Sequence, residues 1–91
     1  MSGERVLQLE LTALIAEVTG LREDKIHLGD RFIEDLGLDS FAAMELLILV
    51  EQKYKIKISE SDLLRNRTVG DWVKLISERY RRDKATNVSS K

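Results

Sequence analysis

The chain contains no cysteine, and it has a single histidine, His27. Without cysteine it forms no disulfide, has no thiolate nucleophile and has no cysteine-based metal site. Any sulfur chemistry carried out with this protein therefore needs a thiol supplied from outside.

Long apolar runs are also absent. No run approaches the roughly 18–20 residues that a transmembrane helix needs. The N-terminal sequence MSGERVLQLE alternates acidic and basic residues, which is not typical of a secretory signal peptide. We therefore expect a cytoplasmic protein without membrane insertion.

The composition, with 91 residues, 43% hydrophobic and 34% charged, indicates one small globular domain. Its net charge of −1 is unevenly distributed. Residues 30–62 hold eight acids and four bases, whereas residues 63–91 hold three acids and eight bases. This asymmetry indicates charge-selective partners, among which we expect no nucleic acid. The alternative is that the basic C-terminal face is only solvated.

Four segments have the composition or apolar spacing of helices: 4–19, 40–54, 60–65 and 69–80. Gly20 is a typical end for the first helix, and Thr68 with Asp71 resembles a capping box for the last. Ser59 or Ser61 could cap the short third helix. The sequence YKIKI at 54–58 alternates like a strand, but no partner strand is evident. We interpret it as an extended linker.

Residues 21–39 form a long segment between the first two helices. Loops of this length are usually functional or disordered, and the recurring leucine, isoleucine and phenylalanine residues argue against disorder. We expect this loop to lie across a hydrophobic surface. The predicted fold is all-α, a three-to-four-helix bundle with a long first loop, in a domain spanning residues 1–82 with a disordered tail at 83–91. Nine side chains are expected in its core: Leu14, Phe32, Leu47, Val50, Ile58, Leu63, Val69, Trp72 and Val73.

Ser40 stands between Asp39 and an almost unbroken apolar run. A serine nucleophile needs a base and an oxyanion site, but His27 is the only histidine and no G-x-S-x-G elbow surrounds Ser40. Ser40 could instead cap the second helix, yet Asp39 already offers a cap and frees the serine hydroxyl. Unpaired N–H groups and the positive end of the helix dipole at this position favour a phosphate ester.

The second helix is apolar in every direction around its axis. A domain of this size does not enclose a helix completely, so Phe41, Met44 and Ile48 are expected to be partly exposed. Either the long loop covers this face, or the face docks other proteins and is bordered by Glu45 and Gln52.

The residues LGLDSF at 36–41 resemble the attachment motif of acyl carrier proteins, written L-G-x-D-S-[L/F/M], and the resemblance extends over residues 4–81. It implies that Ser40, next to Asp39, carries 4'-phosphopantetheine, which a phosphopantetheinyl transferase adds from coenzyme A. The thiol of this arm would hold an acyl or aminoacyl thioester. The resemblance therefore implies a monomeric, non-catalytic carrier.

Its implied partners are that transferase, an acyl- or aminoacyl-loading synthetase and acyltransferases. They would bind the second helix and the preceding loop. The expected contact residues are Asp35, Phe41, Met44, Glu45, Ile48 and Glu51.

The chain departs from the common pattern of this family. It is nearly neutral, it has no proline, and Gln52 and Lys53 stand where acidic residues are frequent. These departures indicate a specialised polyketide, peptide, modified-lipid or D-alanyl-type pathway rather than housekeeping fatty-acid synthesis. An unmodified carrier-like interaction module is the alternative, and a small enzyme would lack the necessary catalytic groups.

Overall fold

The structure is a computed structural model that describes the backbone of residues 2–89 and the side chains of residues 3–82. The described chain forms four α-helices: α1 (Ser2–Thr19), α2 (Ser40–Tyr54), α3 (Glu60–Arg65) and α4 (Val69–Ser89). One 3-10 turn, Glu23–Lys25, lies in the long first loop. Among these residues the only strand-like pairing is an isolated bridge between Arg31 and Thr68. The all-α bundle with a long first loop is therefore confirmed.

The core lies where α1, α2 and α4 pack together. Its fully buried side chains include Leu11, Ile15, Leu46, Trp72 and Ile76. Seven of the nine predicted core residues are buried, and the other two, Leu14 and Leu63, are partly buried and packed against the core. The helical phase inferred from the apolar spacing is therefore right, although the prediction left out the fully buried residues Leu11, Ile15, Leu46 and Ile76.

The helix ends follow the local chemistry that the sequence predicted. Gly20 has a φ of +80° and its N–H donates to the carbonyl of Ala16 at 2.8 Å, which ends α1. The backbone N–H of Asp71 donates to Thr68 Oγ1 at 3.0 Å, and the N–H of Thr68 donates to Asp71 Oδ2 at 3.3 Å. The predicted capping box is thus present at the start of α4.

The linker between α2 and α3 is extended, as predicted. Lys55 has a φ of 58° and ends α2 in the left-handed region, and no strand follows it. Ile56 and Ile58 are buried while Lys57 is exposed, which accounts for the strand-like alternation. Ser59 rather than Ser61 caps α3, in a capping box with Asp62.

Asp62 holds α3 to α4 through a buried ion pair that the sequence analysis did not predict. Its side chain is almost fully buried, and its two oxygens accept hydrogen bonds from the guanidinium of Arg79 at 3.1 and 3.2 Å. Arg79 also donates to the carbonyl of Lys57 at 2.8 Å, and the N–H of Ser59 donates to Asp62 Oδ2 at 3.0 Å. These bonds, led by those from Arg79, hold the pKa of Asp62 well below its usual range.

Helix α4 is longer than the sequence analysis expected. It continues to Ser89, past the boundary at residue 82. The missing apolar spacing after Tyr80 was read as a helix end, but no glycine or proline interrupts residues 81–89, and Arg, Lys and Ala favour a helix. Side chains from residue 83 onward and residues 90–91 lie outside the described part. The boundary between a carrier domain ending at residue 82 and a disordered tail at 83–91 therefore stays a prediction.

None of the helices in the described part combines the length and the apolar character of a membrane span.

Candidate functional site

A tight turn precedes Ser40 and closes around Arg31. The N–H groups of Asp35 and Leu36 both donate to the carbonyl of Arg31 at 3.0 Å. The carboxylate of Asp35 accepts from the backbone N–H of Arg31 at 2.8 Å and from its Nε at 3.1 Å. The N–H of Gly37 donates to the carbonyl of Ile33 at 3.2 Å. These bonds fix the path of the chain into the site.

The Leu-Gly-Leu sequence anchors that path to the core. Leu36 and Leu38 are both buried, and the N–H of Leu38 donates to the carbonyl of Phe32 at 3.0 Å. Gly37 between them has a φ of +75°, which side-chain-bearing residues rarely adopt. Phe32 in turn packs edge-on against Trp72, with ring centroids 5.2 Å apart. Two buried leucines therefore hold the segment while the glycine turns it outward.

Asp39 is the N-cap of α2. It has extended backbone angles, its Oδ1 accepts from the N–H of Ala42 at 2.8 Å, and its carbonyl accepts from the N–H of Ala43 at 2.9 Å. This is the cap that the sequence predicted, and it leaves Ser40 without a capping task. Ser40 is exposed, and its hydroxyl makes no hydrogen bond to His27 or to any other described residue.

The start of α2 suits a phosphate ester on Ser40. The N–H groups of Ser40 and Phe41 have no acceptor within the described residues, and they point out of the positive end of a 15-residue helix. Backbone N–H groups in this position bind phosphate. The residues present thus fit 4'-phosphopantetheine, which would supply the thiol that the chain lacks. No cluster of metal-ligating side chains occurs in the described part of the chain.

The outward face of α2 is open. Phe41 is 78% exposed, Ile48 is 48% exposed, Glu45 is exposed between them, and Met44 is half-buried. The long loop therefore does not cover this face. The opposite face, formed by Ala43, Leu46, Leu47 and Val50, is buried in the core.

Two of the three acidic residues predicted to face partners, Asp35 and Glu51, accept hydrogen bonds within the protein, and Asp39 does so as well. Asp35 bonds to Arg31, whose hydrogen bonds lower the pKa of that carboxyl group, and Asp39 caps α2. Glu51 is half-buried and accepts from the N–H of Ile58 at 2.8 Å. Of these four acids, Glu45 alone is exposed and has no hydrogen-bond or ion-pair partner within residues 3–82.

The long loop adds an exposed side chain that the sequence analysis did not propose for the site. Ile33 is 56% exposed, in the turn that leads to Ser40. The prediction that the apolar residues of this loop lie across a hydrophobic surface is right for the buried residues Ile26, Phe32, Leu36 and Leu38 and wrong for the exposed residues Leu21, Leu28 and Ile33. Phe32 and Ile33 are neighbours in a tight turn, so one of them points inward and the other outward. No pattern in the sequence shows which.

Comparison with known proteins agrees with this geometry. Residues 10–76 match the family described as the phosphopantetheine attachment site. The chain is 38% identical, over 73 residues, to an acyl carrier protein from Chlamydia trachomatis serovar D, which covers 80% of this chain and 95% of that protein. It is also 38% identical, over 68 residues, to a meromycolate extension acyl carrier protein from Mycolicibacterium aurum, covering 75% of this chain and 70% of that one.

A solved structure shares the fold. The acyl carrier protein from Enterococcus faecalis superposes with a TM-score of 0.71 and 22% sequence identity, covering 84% of this chain and 96% of that chain. The two sequence relatives and the matched attachment-site family together place this chain in the acyl carrier protein family.

Proposed function

We propose that this protein is a cytoplasmic, non-catalytic carrier of acyl or aminoacyl groups, held as thioesters on 4'-phosphopantetheine attached to Ser40. The single observation that supports Ser40 most strongly is its exposed hydroxyl at the start of α2, released from capping by Asp39. Ser40 needs no base of its own, because a phosphopantetheinyl transferase activates it and supplies the arm from coenzyme A.

The residues around Ser40 then position the arm. The group supplies a terminal thiol that carries the cargo. Leu36 and Leu38 fix Ser40 relative to the core, and the first N–H groups of α2 would bind the phosphate oxygens of the attached group. Asp39 keeps the first turn of α2 formed, so these N–H groups stay aligned.

The same proposal assigns the outward face of α2 to docking. The transferase, a loading synthetase and acyltransferases would each bind Phe41, Met44, Glu45 and Ile48, and Asp35 and Glu51 remain predicted members of this surface. Because three of the acids are engaged internally, apolar contacts should contribute more to affinity than charge does.

The pathway we propose is a specialised lipid, polyketide or peptide-like one. A net charge of only −1 and the absence of proline support this choice over housekeeping fatty-acid synthesis. The second candidate is a carrier-like interaction module that is never modified, because an open apolar face on α2 would serve that function equally well.

The experiment is incubation of purified protein with coenzyme A and a broad-specificity phosphopantetheinyl transferase, followed by intact-mass measurement. We expect the wild type and the control Ser61→Ala to gain one phosphopantetheine group, and Ser40→Ala to gain none. Modification of Ser40→Ala would move the site to another residue. An unmodified wild type, alongside a reference carrier that is modified, would favour the interaction module.

A further inference from the structure

Helix α1 carries a second apolar stripe that no described side chain covers. Val6 is 51% exposed and Leu9 is 60% exposed, and Ala13 is exposed as well. The spacing of three and then four residues places all three on one side of the helix. The opposite side holds the residues that α1 buries in the core: Leu7, Leu11 and Ile15.

Charges of opposite sign border this stripe. Arg5 lies on one flank and Glu10 on the other, five residues apart. When Val6, Leu9 and Ala13 are taken as positions a, d and a of a heptad, Arg5 is at g and Glu10 is at the following e. In two parallel helices that pair along such a stripe, a g residue of one lies beside the next e residue of the other.

Both charged groups are able to make that contact. Arg5 is exposed and has no ion-pair partner among the described residues. One oxygen of Glu10 accepts from the hydroxyl of Tyr54 at 2.7 Å, and the other has no partner in the described part. Burial and the neighbouring Glu10 raise the pKa of Tyr54, so this hydroxyl stays protonated and holds Glu10 in place.

We propose that this stripe is the contact surface for a second copy of the same chain, with the two α1 helices parallel about a two-fold axis. Arg5 of each copy then lies beside Glu10 of the other, so the interface is self-complementary. An antiparallel pair is disfavoured because it brings e positions together, and Glu10 and Glu17 occupy those positions. The small side chain of Ala13 permits close approach of the helices.

The interface is small. Further along α1, Thr12 is buried and Ala16 is partly buried, so the open stripe ends at Ala13. Three side chains on one helix bury far less than the roughly 1,200 Å² that stable complexes bury. The equilibrium is therefore expected to favour the monomer in dilute solution and the dimer at high local concentration.

Self-association leaves Ser40 accessible. The hydrogen bond between Glu10 and Tyr54 places this half of α1 beside the C-terminal end of α2. Ser40 begins α2, and a rise of about 1.5 Å per residue puts it roughly 20 Å away along the helix. The inference does not depend on modification of Ser40, and it is tested on the unmodified protein.

Cysteine crosslinking tests the arrangement, because the natural chain has no background thiol. Val6→Cys places the two thiols of a parallel dimer next to each other, and Lys74→Cys, on an exposed position of α4, is the control. We expect Val6→Cys to form disulfide-linked dimers at least about tenfold faster than the control, since pairing raises the effective concentration of the second thiol. Equal rates for the two variants would overturn the proposal.

Charge variants test the pairing and its direction. In the Val6→Cys background, Arg5→Glu and Glu10→Lys each place like charges together in a homodimer. Mixing the two variants restores opposite charges in both pairs, so we expect heterodimers, separated by mass, above the statistical share. A statistical mixture would contradict the charge pairing. Crosslinking of Val6→Cys only with an Ala13→Cys variant would show antiparallel helices and overturn the proposed arrangement.

Discussion

Gly37 is the residue at which the path into the site depends most directly on backbone geometry. Its φ of +75° is strained for any residue with a Cβ, so Gly37→Ala should lower the free energy of unfolding by about 1 kcal/mol or more. Gly29→Ala, where an added methyl group meets nothing within 4 Å and φ is not in the left-handed region, is the control. Urea unfolding measures the stability of both variants. An equal effect of the two substitutions would contradict the claim that the positive φ at position 37 requires glycine.

Asp39 and Ser40 are adjacent but have separate roles. Asp39→Ala removes the acceptor for the N–H of Ala42 and should cost about 0.5–2 kcal/mol of stability, whereas Asp39→Asn should keep most of the cap. Ser40→Ala should change stability by less than about 0.5 kcal/mol, because it alters an exposed side chain without a partner. Thermal and urea unfolding of the three variants gives the comparison. A large loss in Ser40→Ala would mean that the serine supports the fold.

At the scale of the secondary-structure elements, α3 depends on the ion pair between Asp62 and Arg79. Arg79→Ala leaves the buried carboxylate without its main partner and should cost about 3 kcal/mol. Arg65→Ala removes a well-exposed cation that also contacts Asp62 at 3.4 Å and should cost less than about 1 kcal/mol. Equilibrium unfolding in urea at neutral pH measures the stability of both variants. Similar losses of stability would show that the buried ion pair contributes no more than the exposed one.

The ion pair between Asp62 and Arg79 makes the stability of the fold depend on pH. The pKa of Asp62 is lower in the folded protein than in the unfolded chain, where Asp titrates near about 3.9. Its contribution is therefore fully present above about pH 5 and is lost as the pH falls. The stability difference between wild type and Asp62→Asn should shrink from pH 5 downward, measured by urea unfolding at each pH. A difference that stays constant into acid would contradict the assignment.

Helix α2 is the element on which docking is expected to depend. Met44→Ala and Ile48→Ala should slow transfer of the arm more than Glu45→Gln or Glu51→Gln, since burying a large apolar side chain contributes about 1.5–3 kcal/mol and an exposed ion pair about 0.2–1 kcal/mol. Steady-state kinetics with one transferase at low and high salt make the comparison. Normal kinetics of Met44→Ala with a steep salt dependence would show that charge governs docking.

For the whole molecule, the sequence was sufficient where local rules decide the outcome. Apolar spacing located α1, and a run of helix-forming residues located α2. Thr68 and Asp71 predicted the start of α4, and Asp39 was identified as the cap that frees Ser40. Contacts between distant segments were not predictable. The hydrogen bond from the N–H of Ile58 to Glu51 forms only because the linker after α2 folds back alongside that helix. The ion pair between Asp62 and Arg79 joins residues 17 apart on two helices.

The core of the bundle can be tested at one position. Leu47 is buried in the core, so Leu47→Ala should cost roughly 2–5 kcal/mol. Leu14→Ala, at the partly buried edge of the core, should cost less. Urea unfolding reports both values. A loss below about 1 kcal/mol at Leu47 would mean that α2 is rotated from the position described.

The most direct test of the carrier function uses the absence of cysteine. A thiol-specific reagent should detect no thiol in the purified chain and one thiol per chain after incubation with coenzyme A and a phosphopantetheinyl transferase, once free coenzyme A has been removed. Ser40→Ala should show none after the same treatment. The account would be contradicted if the wild type acquired no thiol while a reference carrier did, or if Ser40→Ala acquired one.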